Sequence, residues 1–110
     1  EIYLRMKVIS DSVKKALANV VQLRAALDQT RRQIAMMDSN INAISTEQAP
    51  IRENMKVLSQ TSDVYRRYEK KFGEQETQVE KLHADMAKLR EQEQEQLREL
   101  GQFLMSLEVR

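Results

Sequence analysis

The chain has no cysteine, no tryptophan, one histidine, one proline and two glycines in 110 residues. Disulfide scaffolds and thiol catalysis are excluded outright. A zinc site is excluded as well, because it needs several Cys or His ligands converging on one point. Glycine and proline fill 3 positions where average usage of roughly 12% gives about 13, so a fold built on many tight turns is ruled out, as are the clustered glycines that cradle phosphates. The longest apolar run, Ile34 to Met37, has four residues against the roughly 20 of a membrane span, and no signal-peptide pattern opens the chain. Charge of one sign is also missing. Eighteen basic residues face 17 acidic ones for a net +1, so no long-range field draws the whole chain toward nucleic acid.

What remains is helix-forming composition. Ala, Glu, Lys, Leu and Arg supply 50 positions and Gln another 11, more than half the chain. Apolar residues recur at alternating spacings of 3 and 4. The first seam runs Ile2, Met6, Ile9, Val13, Ala16, Val20, Leu23, Leu27, Thr30, Ile34, Met37, Ile41, Ile44, Gln48, Ile51, Met55, Leu58, with 15 of 17 positions apolar. The second runs Tyr65, Tyr68, Phe72, Gln75, Val79, Leu82, Met86, Leu89, Glu93, Gln96, Leu100, Phe103, Leu107, with 10 of 13 apolar. Both have the 3.5-residue period of coiled coils.

The polar run Ser59 to Asp63 separates the seams. Thr61 or Ser62 can cap a new helix there, and Asp63 complements its positive end. The pattern therefore predicts an all-α fold, a long antiparallel coiled-coil hairpin with arms of about 10–58 and 63–107, forming one hairpin over 10–110 with its turn near 59–63. Residues 1–9 are either a lead-in, folding back or pairing as a short strand, or the start of the first helix. Pro50 is the rival turn, but neither seam loses phase there and position 50 faces outward, where a kink does least harm.

Setting Leu58 beside Tyr65 fixes the register, because facing seam residues then have numbers that sum to 123. Gln48 then meets Gln75 and Thr30 meets Glu93, so polar seam residues find polar partners. Only Gln96, opposite Leu27, is left unmatched. Pro50 and Gly73 share the same sum, which predicts either a bend at that level or two tolerated outward positions.

Four features are candidates for function. At the turn end, Tyr65, Tyr68 and Phe72 lie among Arg52, Lys56, Arg66, Arg67, Lys70 and Lys71, and with Glu53, Asp63 and Glu69 this end carries +3. Arg52, Tyr65, Arg66, Arg67, Lys70 and Lys71 can contact nucleic acid or an anionic membrane surface, or the aromatics simply fill the narrowing coiled coil with the bases solvated around them. At the open end, Leu4, Val8, Leu17, Val21, Leu97, Leu104, Met105 and Val109 lie off the main seam, extra apolar surface that calls for another surface. The acidic run Arg90 to Gln96 faces Arg24, Arg31 and Arg32 and reads as a solvated helix face with weak cross-arm ion pairs. His83 stands beside the seam within reach of Asp38 and reads as structural.

The stretches Glu47-Gln48-Ala49-Pro50-Ile51-Arg52-Glu53-Asn54-Met55, Thr61-Ser62-Asp63-Val64-Tyr65-Arg66-Arg67-Tyr68 and Glu74-Gln75-Glu76 resemble the C-terminal helical hairpin of large bacterial proteins of the mucoidy-inhibitor-A-like group, which carry a domain of unknown function ahead of the hairpin. Pro50 departs from that pattern. The resemblance implies a bacterial origin, with cytoplasm and periplasm both compatible, and a β-rich parent domain at the open end. It transfers no catalytic residue. Together with a start at Glu1 in place of Met, it gives the expectation of a fragment.

The sequence thus predicts a non-catalytic structural or protein-interaction module with no cofactor and no small-molecule substrate. Its partner is the parent protein's missing domain or another copy of the chain, docked through the open end. Nucleic acid or membrane binding by the tip is the second expectation. Carboxylates such as Glu74 and Glu76 lie on a solvated helix with no pocket to shift them toward catalysis, so enzyme activity would need groups from elsewhere in the parent protein.

Overall fold

A computed structural model of the chain describes the backbone of residues 2–109 and the side chains of residues 11–107. The fold is all-α, with helices α1 (Ile2–Val57) and α2 (Asp63–Val109) joined by one short turn and no strand among the described residues. Residues 2–9 are the first turns of α1, so the fold-back and the short strand are not what this segment forms. Pro50 lies inside α1 and does not end it.

The chain divides into two compact units, a turn unit of Gln33–Leu89 and a terminal unit of Glu1–Arg32 with Arg90–Arg110. Each is an antiparallel helix pair. Among the described side chains, every one that is not exposed lies on a seam position except Ser62 and Asp85, and Val13 alone of the seam residues is exposed. The seam is therefore the source of tertiary stability, since burying a Leu- or Ile-sized side chain contributes about 1.5–3 kcal/mol. In the turn unit the most buried residues are Ile41, Ile44, Ile51 and Met86 together with Gln48 and Gln75; in the terminal unit they are Leu27 and Thr30.

The turn is built on serine hydroxyls. Ser62 Oγ accepts the backbone N–H of Tyr65 at 3.1 Å and donates to the carbonyl of Ser59 at 2.8 Å. Ser59 Oγ in turn accepts the N–H of Thr61 at 3.3 Å and lies 2.9 Å from its hydroxyl. Ser62, not Thr61, is thus the residue that caps α2, and Asp63 supplies the negative charge in its first turn. Ser62→Ala loses both bonds and is expected to lower the unfolding free energy by about 1 kcal/mol. Urea denaturation followed by circular dichroism measures this, and an unchanged midpoint would show that the cap is dispensable.

Both units keep the register of 123, but the polar partners differ from a straight pairing across each layer. In the turn unit Gln48 and Gln75 do not bond each other: Gln48 Nε2 donates to Glu76 Oε1 at 3.0 Å, and Gln75 Nε2 donates to Glu47 Oε2 at 3.1 Å. In the terminal unit Thr30 does not bond Glu93. Thr30 Oγ1 accepts from Gln92 Nε2 at 3.3 Å, while Glu93 accepts from Arg31 Nε at 3.0 Å. The numbers of each pair sum to 122 or 124. Two facing seam side chains of an antiparallel pair lean toward opposite flanks of the contact, so each finds its partner one residue away on its own flank of the other helix.

Candidate interaction surfaces

Heptad letters make the two flanks explicit. Val13, Val20 and Leu27 on α1 and Phe72, Met86, Glu93 and Leu100 on α2 are a positions; Ala16, Leu23 and Thr30 on α1 and Gln75, Leu89, Gln96 and Phe103 on α2 are d positions. On one flank a pairs with e, as in Gln48 with Glu76, Arg31 with Glu93, and the Arg52 guanidinium 5.2 Å from the centre of the Phe72 ring. On the other flank d pairs with g, as in Thr30 with Gln92, Gln75 with Glu47, and Asn54 Nδ2 donating to the Tyr68 hydroxyl at 3.5 Å.

The terminal unit is strongly unequal between these flanks. Its a/e side carries Leu17, Leu97 and Leu104 at e, Val21 beside them at b, and the half-exposed Val13 at a; Leu17 and Val21 are 59% and 66% exposed. Met105, at f, adds an exposed apolar group on the back of α2. Across the contact, the g positions of the same unit are Ser12, Asn19, Ala26, Gln92, Glu99 and Ser106, and no large exposed apolar side chain is among them. The expected docking residues Leu17, Val21, Leu97, Leu104 and Met105 are therefore all solvent-facing, and the first four share one flank. The side chains of Leu4, Val8 and Val109 lie outside the described residues.

Charge follows the same asymmetry. Along the e positions of the terminal unit, in order of level, come Leu17, Leu104, Arg24, Leu97, Arg31 and Arg90. The e row thus runs from leucine to arginine, with Lys14 and Asp28 at the neighbouring b positions of α1 and Glu93 at a. Arg31 is held by Glu93, whereas Arg24 and Arg90 make no ion pair among the described residues. Arg32 bonds Gln29, and Arg98 pairs with Glu95 on its own helix at 2.7 Å. The expected ladder between the acidic run and the arginines of the other arm thus consists of one cross-arm pair, worth under about 1 kcal/mol at this exposure.

The turn end presents a different surface. Tyr65, Tyr68 and Phe72 are half-buried on the seam, and an open recess of about 440 Å³ beside them is lined by Arg52, Met55, Lys56, Leu58, Gln60, Tyr65 and Phe72. The cation–π contact holds Arg52 over the recess. Arg66, Arg67, Lys70 and Lys71 are exposed and none makes an ion pair among the described residues. On the d/g flank of the same unit a second recess, about 490 Å³, is lined by Met36, Met37, Leu82 and Leu89 with Gln33, Asn40, Asp85 and Lys88.

Among the described residues no three His, Cys, Asp or Glu side chains gather in a way that could hold a metal ion, and no helix is long and apolar enough to cross a membrane. His83 is exposed and makes no hydrogen bond or ion pair with Asp38 among the described residues, so that pairing does not form. Sequence reasoning missed two features. Spacing places Val13 on the seam, yet it is exposed, and the flank shared by Leu17, Val21, Leu97 and Leu104 emerges once heptad letters are joined to the register. No family model, no curated protein and no solved structure matches the chain.

Proposed function

We propose that the chain is a non-catalytic interaction module that docks onto a protein surface, or onto another copy of itself, through the apolar flank of its terminal unit. One observation carries this reading: Leu17, Val21, Leu97 and Leu104 are exposed on one flank, while the opposite flank of the same helix pair is polar. Solvent contact with large apolar groups on one side only is the pattern of a surface covered in the working assembly. In this reading the module is the hairpin segment of a larger bacterial protein similar to the mucoidy-inhibitor-A-like group, an assignment supported by the residues around its turn.

A second reading is favoured by the unpaired bases at the turn. Arg66, Arg67, Lys70 and Lys71 beside the recess under Arg52 suit an anionic partner, nucleic acid or a lipid headgroup surface. Site-specific photo-crosslinking separates the two. A photoreactive residue at Val21 is expected to give protein adducts in bacterial cells, and one at Arg67 is expected to give none. Adducts to nucleic acid or lipid at Arg67, with none at Val21, would reverse the order.

A further inference from the structure

The e positions on the a/e flank of the terminal unit run from apolar to basic, and two of their arginines, Arg24 and Arg90, make no ion pair among the described residues. Leu17 and Leu104 border the apolar end of the groove along this row, Arg24 and Leu97 its middle, and Arg31 and Arg90 its basic end. In the register of 123, these levels extend over about 24 Å at 1.5 Å per residue, the length of a helix of four to five turns. The b positions next to this row are Lys14, Val21 and Asp28 on α1 and Gln94 and Gly101 on α2, and a Cβ added at Gly101 would meet nothing within 4 Å.

A second copy of the chain is a poor occupant. A twofold that runs along the groove sets Arg24, Arg31 and Arg90 of one copy against the same residues of the other. A twofold across the middle of the groove sets the Leu17 and Leu104 end against the Arg31 and Arg90 end. Shifting that axis to bring leucine onto leucine brings Arg24 toward Lys14. Each arrangement buries like charges or mismatches apolar with charged surface, and Arg24 and Arg90 make no ion pair among the described residues that would offset this.

Resting on the reading above, we infer that this groove seats an amphipathic helix of a partner protein, apolar at one end and acidic at the other, as the third helix of a coiled-coil bundle. Its apolar end packs on Leu17 and Leu104, with Val13 and Val21 at the edge. Its carboxylates lie along Arg24 and Arg90, whose guanidinium forks pair with them bidentately, while Arg31 stays with Glu93. Charge fixes the direction of the incoming helix and apolar burial supplies affinity.

The test uses the full chain and two labelled synthetic helical peptides of about 18 residues with the same leucines along one face, one with glutamates at its far end and one with lysines there. Fluorescence anisotropy is expected to show the glutamate peptide binding at least tenfold more tightly than the lysine peptide, with affinity falling as salt rises. The Leu17→Gln, Leu104→Gln double variant should weaken binding at least tenfold. Arg24→Glu with Arg90→Glu should invert the preference toward the lysine peptide, a result that loss of folding cannot mimic. Equal binding of the two peptides, binding of neither, a wild-type dimer dispersed by the leucine changes, or leucine-dependent binding to anionic phosphatidylserine vesicles in place of the peptides would each overturn the inference. Protein adducts at Val21 without a preference for the acidic peptide would overturn this inference alone, whereas absence of adducts would overturn the docking reading as well.

Discussion

Pro50→Ala is expected to raise the unfolding free energy by about 2 kcal/mol. Pro50 lies well inside α1 and has no N–H to donate to the carbonyl of Thr46, four residues before it. Interior proline costs about 3 kcal/mol in a helix, and the stiffness it lends the unfolded chain returns about 0.4–1 kcal/mol of that. The side chain is exposed, so alanine forfeits no packing. Thermal unfolding followed by circular dichroism should move upward by roughly 8–15 °C for a gain of this size. A midpoint that falls would mean that proline at position 50 favours the pairing of the two arms in the turn unit and that its helix cost is offset there.

The second large effect is expected at Gln96→Leu, which should stabilise the terminal unit by about 2 kcal/mol. Gln96 Oε1 is buried with no hydrogen-bond partner, and its layer partner Leu27, 4% exposed, has nothing to offer it. A desolvated acceptor without a donor costs about 1–3 kcal/mol, and a leucine of similar volume removes that cost while extending the apolar contact. Gln75 is an instructive control. Its Oε1 is also buried without a partner, but its Nε2 is bonded to Glu47, so Gln75→Leu removes the orphan at the cost of that bond and should gain less. Denaturant midpoints of the two variants make the comparison directly, and equal gains would show that the bond to Glu47 adds nothing. Removing polar residues from a seam also lowers the penalty on slipped pairings. Disulfide trapping between cysteines placed at Leu23 and Leu100 reports whether the register of 123 survives in either variant.

The seam, the turn and the register were legible because each depends on spacing. A 3.5-residue period needs only the order of apolar and polar residues, and Leu58 beside Tyr65 follows from where that period restarts. Gln96 could be picked out as the unmatched polar residue for the same reason, and its buried oxygen has no partner in the fold. Partner choice inside the polar layers was not legible. A layer sum treats facing residues as points, whereas their side chains lean to opposite flanks, so Gln48 reaches Glu76 and Thr30 receives Gln92. His83 and Asp38 were within reach by number alone, yet both are exposed and water competes for each. The exposed apolar residues could be named from the sequence, and their common flank was implicit in spacing and register together; that Arg24 and Arg90 find no ion pair among the described residues was not.

By itself the sequence determined that this protein is two helices with one cap-bearing turn and one seam. Helix propensity, a hydroxyl at Ser62 and the recurrence of apolar residues act locally, and local forces can be read in order along a chain. Only the tertiary structure decided how exposed that apolar flank is and which arginines stay unpaired among the described residues. Those outcomes depend on what the opposing helix places at e and g across the contact, and that is a property of two segments up to 87 residues apart, Leu17 and Leu104, brought side by side.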